Sequence, residues 1–167
     1  MNHQSKIGAG FLKELEAEAA ATRKCLERMP ENLFDYKPHE KSMPMGYLAL
    51  ICAEIPKWIV AMIEKSEIDF ATIEHFKVKN SADLVAHFDE NLQAVRHALQ
   101  NASDEAFDEP YYLKNQGQVL YSSIKRDDIG LTINHLVHHR GQLTVYLRMN
   151  DIAVPSIYGP SADEQSF

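Results

Sequence analysis

Apolar residues recur at spacings of three and four in four separate stretches of this chain, and this period constrains the fold more than any other feature of the sequence. The most regular stretch places its apolar side chains on one stripe: Leu84, Phe88, Leu92, Val95 and Leu99. Such spacing is typical of an amphipathic α-helix. With four helical stretches of about 20 residues each and no alternating strand pattern, the sequence predicts an all-α four-helix bundle.

Proline and capping residues give the expected limits of the first two helices. The first covers residues 11–29 and ends at Pro30. The second opens at Ser42, which is a good N-cap, with Pro44 in the first turn. Pro56 lies inside the second pattern and predicts a kink there or a break into two pieces.

The third helix is expected to start at residue 80 or 81, and the fourth to follow a cap at Asp127 or Asp128 and continue to Asn150. Residues 101–126 between them are too many for a simple bundle loop. Residues 111–121 within this connection have the pattern of a small β-hairpin. A connection of this length would allow the fourth helix to run parallel to the third or to change its place in the up-down order.

Length and composition limit the classes of protein to which the chain can belong. A chain of 167 residues is expected to form one domain over residues 1–167. The net charge is −7, with 24 acidic and 17 basic residues and no basic block, which argues against a nucleic-acid partner. Cys25 and Cys52 are far apart and fit free thiols in a reducing compartment. With no secretory h-region and only short apolar runs such as residues 47–53, we expect a cytoplasmic protein without a membrane span.

A cluster of histidines in the fourth helix carries the strongest chemical signal. His135 and His139 are four residues apart, so their side chains leave one face of the helix about one turn apart, where one metal ion can bridge them. Gln142 and Tyr146 extend this face, whereas His138 points elsewhere. The alternative is a solvated polar face without a ligand, which is the commoner reason for such a pair.

Three other kinds of site are excluded because the chain lacks their sequence signatures. A metalloprotease of the HExxH type needs a glutamate where this chain has Leu136. A carboxylate-bridged di-iron bundle needs Glu-x-x-His on two helices, and neither candidate helix has that pattern. Signatures of a catalytic serine or thiol are also missing.

Two long strings, PHEKSMPMGYLALICAEIPKW and NHLVHHRGQLTVYLRMNDIAVPSIYGPSADE, occur in an order that resembles the DinB family. The resemblance covers nearly the whole chain and implies a bacterial four-helix bundle of the DinB/YfiT-like type that forms homodimers. It also implies one metal ion, commonly zinc or nickel, held by three histidines. Two of these ligands correspond to His135 and His139, and the third corresponds to a position on the second helix that Ile51 occupies here.

Isoleucine has no lone pair, so a site made of two histidines and water should bind a metal more weakly than a three-ligand site. Cys52 is the adjacent potential ligand, but it lies about 100° round the helix from Ile51. Glu54 lies three residues further on and nearer the same face. We expect Glu54 to hydrogen-bond His135 or His139, or to line the pocket, before acting as a ligand.

The remaining singled-out residues have structural expectations. His39 should organise the loop before the second helix, and Arg140 should anchor a carboxylate, for which Asp163 and Glu164 in the C-terminal tail are available. Trp58, like Tyr146, is expected in the core or pocket wall. Three further histidines are expected on the surface: His75, His87 and His97.

Two functions are open at this point. One is a metal-dependent transferase or hydrolase that uses a small thiol or water as nucleophile, which the family resemblance implies. The other is a metal-free binding or stress-associated protein, which Ile51 favours. Either would place a small-molecule ligand in a cleft near the histidine pair.

Overall fold

The computed structural model describes residues 5–165 and contains the four expected long helices. They are α1 (Lys6–Glu27), α2 (Met45–Lys65), α3 (Ser81–Asn101) and α4 (Lys125–Met149). The prediction of four helices is confirmed, but that of an all-α fold is wrong because the described residues also form a three-stranded sheet. The fold is therefore a mainly helical bundle with a small sheet at one side.

The sheet has the order β1 (Glu67–Asp69), β2 (Pro110–Asn115), β3 (Gln118–Ile124). Strands β2 and β3 form the predicted hairpin, turning at Gln116 and Gly117, whose φ angles of 52° and 76° are both positive. Two positive φ angles in a two-residue turn match the right-handed twist of the strands. Strand β1 pairs in parallel with β2 and was not expected.

The residues that face one another across the bundle show the directions of the helices. Helices α1 and α3 are antiparallel, as the ion pairs Glu16–Arg96 and Arg23–Asp89 show. Helices α1 and α4 are parallel, since Phe11 lies beside Gly130 and Glu18 pairs with Arg140. Helices α2 and α4 are antiparallel, since Trp58 contacts His135 and Met62 contacts Thr132. The bundle therefore runs up, down, down, up, with α2 parallel to α3. Residues 66–80 make the crossover, whereas the longer connection before α4 simply returns the chain antiparallel to α3.

Helix α2 is the central element of the core. Twelve of its residues are buried, and Pro56 lies within one continuous helix, so the predicted break into two pieces does not occur. Burial against α3 and α4 offsets the hydrogen bond that proline cannot donate. The N-cap is Pro44 rather than the expected Ser42. By length and composition α2 could cross a membrane, but most of it is enclosed by the bundle, as in the core helix of a globular domain.

Helix α4 begins earlier than its aspartates suggested. Strand β3 leads directly into it, Ile124 is the N-cap, and the backbone N–H of Lys125 donates to the carbonyl of Glu109. Asp127 and Asp128 lie in the first helical turn and are not caps. Their negative charge there still complements the positive end of the helix dipole.

Candidate functional site

The structure brings His135 and His139 together on α4, with ring centroids 4.4 Å apart. His139 is buried, and its Nδ1 donates to Oε1 of Gln142 at 2.8 Å, which leaves Nε2 with a free lone pair. His138 is exposed on the neighbouring face, although its ring centroid is only 5.2 Å from that of His139.

His135 connects the histidine pair to the rest of the site. Its ring lies 5.6 Å from the indole of Trp58, centroid to centroid. Partial burial lowers the pKa of His135, and the neighbouring His139 and His138 lower it further because a second positive charge is unfavourable there.

Tyr146 lies one turn beyond Gln142 but contacts the loop before α2 and not the histidine pair. Its hydroxyl donates to the carbonyl of Met43 at 3.2 Å, and its ring meets that of Tyr36 edge to face. Tyr146 is buried as expected for a wall residue, and it holds the loop before α2 against α4.

Glu54 is buried, but its hydrogen bonds are directed away from His135 and His139. Its carboxylate contacts Nδ1 of His75 at 2.6 Å and accepts from the backbone N–H of Phe76 at 2.8 Å. The expected hydrogen bond to the α4 histidines is therefore replaced by an anchor for the crossover. The reason is rotation: Glu54 lies on the part of α2 that faces α3 and the crossover.

His87 corrects a second expectation, because it is largely buried beneath the crossover rather than on the surface. Its ring stacks on Phe76 at 4.3 Å, and its Nε2 lies 3.6 Å from the Glu54 carboxylate. Burial lowers the pKa of His87, and Glu54 opposes this shift. His75 and His97 are exposed as expected.

The residues present do not fit a three-ligand metal centre. Ile51 is buried and supplies no donor atom. Cys52 is fully buried near Cys25, and burial raises the pKa of its thiol, so the thiolate that a metal needs is disfavoured. Glu54 is occupied by the crossover. Among residues 5–165 no group of three or more histidine, cysteine, aspartate or glutamate side chains is arranged to hold a metal ion.

A cavity of about 330 Å³ lies between α2, α4 and the sheet, with His135 at its edge. We call it the sheet cavity. Its lining is Trp58, Met62, Ile68, Phe70, Ile73, Tyr111, Leu113, Tyr121, Asp128, Leu131, Thr132 and His135. A volume near 300 Å³ with mainly apolar walls and a few polar groups is characteristic of a small-molecule site.

Asp128 is the lining residue that the sequence reasoning missed. It is 7% exposed, and its Oδ2 is buried without a hydrogen-bond partner among the described residues. Burial raises the pKa of Asp128, a Ser123 hydrogen bond opposes this, and the charge of Asp127 adds to the rise. Extending the histidine stripe backwards through Thr132 would have placed Asp128 on the same helix face.

Arg140 anchors a carboxylate as expected, but the carboxylate belongs to α1. Its guanidinium pairs with Glu18 at 2.6 Å and donates to the hydroxyl of Tyr158 in the C-terminal tail at 2.8 Å. The two acidic residues expected as its partners bind other cations: Asp163 pairs with Arg148, and Glu164 with Arg28 and Lys24. His39 accepts from the backbone of Lys41, which fits its expected role in the loop.

The fold is thus that of a four-helix bundle that carries a histidine pair on its last helix. The DinB family profile matches residues 1–166, and the chain belongs to that family. It is 29% identical over 156 residues to the uncharacterized protein YrdA of Bacillus subtilis (strain 168), covering 92% of this chain and 89% of YrdA.

Two solved structures share the fold. A DinB-like protein (YjoA) from Bacillus subtilis has a TM-score of 0.69 at 17% identity, with 95% of this chain and 99% of that chain covered. A DinB-like protein from Bacillus cereus ATCC 10987 has a TM-score of 0.70 at 21% identity, with 90% and 97% covered. The similarity at these identities is one of fold.

Proposed function

We propose that this DinB-family protein binds a small, largely apolar molecule in the sheet cavity and does so without a metal ion. The observation that carries the proposal is the cavity itself: a mainly apolar space of about 330 Å³, with His135 at its edge. Apolar walls supply affinity through the hydrophobic effect, and a few polar groups orient the ligand. The missing third ligand at Ile51 supports a binding role in which no step passes through a metal.

Trp58 makes this proposal directly testable, because it is the only tryptophan in the chain and it lines the sheet cavity. Its fluorescence should change saturably when small phenyl compounds, whether neutral, cationic or anionic, are titrated in. Ile73→Phe places a larger side chain in the cavity wall and should weaken the response about tenfold. Val85→Phe is the matched control, since Val85 is also partly buried but lies on α3 outside the cavity.

A saturable response that Ile73→Phe weakens and Val85→Phe preserves would support binding in the cavity. No saturable response to any of the compounds, confirmed by calorimetry, would refute the proposal. An equal loss in both variants, with both proteins folded by circular dichroism, would refute the location.

A second candidate is the metal-dependent transferase or hydrolase that uses a small thiol or water. The distance of 4.4 Å between the rings of His135 and His139, with a lone pair free on His139, favours it. The substrate or water would have to complete the ligand set. This candidate predicts about one zinc or nickel ion per chain in protein purified without a histidine tag, and Ile51→His should raise the affinity. No bound metal after dialysis against zinc and nickel would exclude it.

A further inference from the structure

Asp128 is the one acidic side chain in the wall of the sheet cavity, and no lysine, arginine or histidine among residues 5–165 forms an ion pair with it. Asp128 lines the cavity and is more than nine-tenths buried, and no lysine or arginine is among the lining residues that the structure describes. Its Oδ2 has no hydrogen-bond partner, and a buried carboxylate without a cation beside it is costly, so native proteins normally pair such a group. A cationic group of the ligand is therefore a candidate for the missing partner of Asp128.

Nearby cations cannot serve as that partner because each is held elsewhere. Lys125, one turn before Asp128, directs its Nζ to Glu109 at 2.7 Å and to the carbonyl of Ile63 at 3.1 Å. Arg126 pairs with Asp108 at 2.7 Å on the surface. Burial raises the pKa of Asp128, which agrees with a carboxyl group that has no cationic side chain beside it.

The rest of the wall also suits a cation. Four aromatic side chains line the sheet cavity: Trp58, Phe70, Tyr111 and Tyr121. Aromatic faces attract organic cations through the negative potential above the ring, and this attraction strengthens when water is excluded. An anionic ligand would meet Asp128 with no compensating positive residue in the wall.

We propose that the sheet cavity selects an apolar or aromatic amine, whose ammonium group pairs with Asp128 while its hydrocarbon body packs against the aromatic wall. The proposal rests on the proposed binding function and names its ligand class. The volume of about 330 Å³ accommodates a molecule of the size of an arylalkylamine. Thr132, which also lines the cavity, is placed one helical turn from Asp128 and can accept a further ammonium hydrogen.

The test uses three compounds of nearly equal shape: 2-phenylethylamine, which is cationic at neutral pH, the neutral 2-phenylethanol and the anionic 3-phenylpropanoate. Binding is measured by Trp58 fluorescence excited beyond the phenyl absorption and is checked by calorimetry. The amine should bind about tenfold or more tightly than the alcohol, and the anion weakest of all, because the ion pair forms with a largely buried carboxylate.

Two substitutions of aspartate by asparagine test which carboxylate causes the preference for the amine. Asp128→Asn should reduce the affinity for the amine to that for the alcohol, whereas Asp127→Asn, whose side chain is 62% exposed, should leave the preference unchanged. Because Asp128→Asn removes a buried unpaired charge, it should also unfold at a temperature at or above that of the unsubstituted protein, so lost binding cannot be ascribed to misfolding.

The outcomes separate the two proposals. Equal affinities for the amine and the alcohol, or an amine preference that survives Asp128→Asn, would overturn the inference while the proposed function stands. If none of the three compounds gives a saturable change, the proposed function fails and the inference fails with it.

Discussion

Replacing Arg140 with methionine should test how the C-terminal tail and α1 are attached to α4. Arg140 is 1% exposed and forms an ion pair with Glu18, whose side chain is 12% exposed. It also donates to the hydroxyls of Thr22 and Tyr158 and to the carbonyl of Glu18. Methionine keeps most of the hydrocarbon volume but removes every one of these hydrogen bonds.

The expected loss follows from the burial of both charges. Removing one member of a buried ion pair leaves the other charge without compensation and costs about 3–5 kcal/mol. For a chain of this size, that loss lowers the melting temperature by roughly 6–20 °C. Arg126→Met is the matched control on the same helix, because the pair of Arg126 with Asp108 is exposed and should contribute less than about 1 kcal/mol.

Urea denaturation followed by circular dichroism measures both losses, with unchanged slopes as the sign that both proteins unfold alike. The double variant Glu18→Gln, Arg140→Met should recover part of the loss, because it removes the stranded charge as well. A loss below about 1 kcal/mol for Arg140→Met would refute the reasoning that this pair anchors α1 to α4.

Three further predictions concern other parts of the bundle. Gly8→Ala should lower the stability of the protein by about 2–3 kcal/mol in thermal unfolding, because the added Cβ would lie 2.2 Å from a backbone oxygen of α3. Gly10→Ala is the control: it has open space around it and should raise the stability by up to about 1 kcal/mol. Equal effects of the two substitutions would contradict the close approach of α1 to α3. Burial holds the pKa of His87 below its ordinary 6.5, so the unfolded chain binds the proton first and stability should fall as pH decreases below about 6.5; His87→Gln should reduce this slope and His97→Gln should not. The expected homodimer should be visible by light scattering, and Val145→Glu on the exposed face of α4 should dissociate it, so that an unchanged mass would place the interface elsewhere.

The helices were predictable because their signals are local. Each amphipathic period lies within a few turns, and the hairpin turn at Gln116 and Gly117 is encoded by adjacent residues. Strand β1 could not be foreseen, since a three-residue strand has no period of its own and its partner is far along the chain. The uninterrupted passage of α2 through Pro56 likewise depends on packing against two other helices.

The candidate site was predictable only in part, for a related reason. The spacing of His135 and His139 requires nothing beyond helical geometry, and the structure places the two rings side by side. The sequence places Glu54 in the same cleft, whereas its carboxylate binds the crossover instead. The direction in which a residue of α2 points relative to α3 is a tertiary property that the local sequence does not encode. Asp128 had the appearance of a helix cap in the sequence, and only the direct entry of β3 into α4 shows that it lines a cavity.

The parallel pairing of β1 with β2 holds one wall of the sheet cavity in place. Two main-chain hydrogen bonds flank this pairing, from Tyr112 to the carbonyl of Ser66 and from Phe70 to the carbonyl of Lys114. Ile68 in β1, together with Phe70 and Ile73 after it, forms this wall. A molecule bound against this wall, as we propose, should therefore suppress local opening and slow amide exchange at Phe70 and Tyr112 while leaving the amides of α2 unchanged.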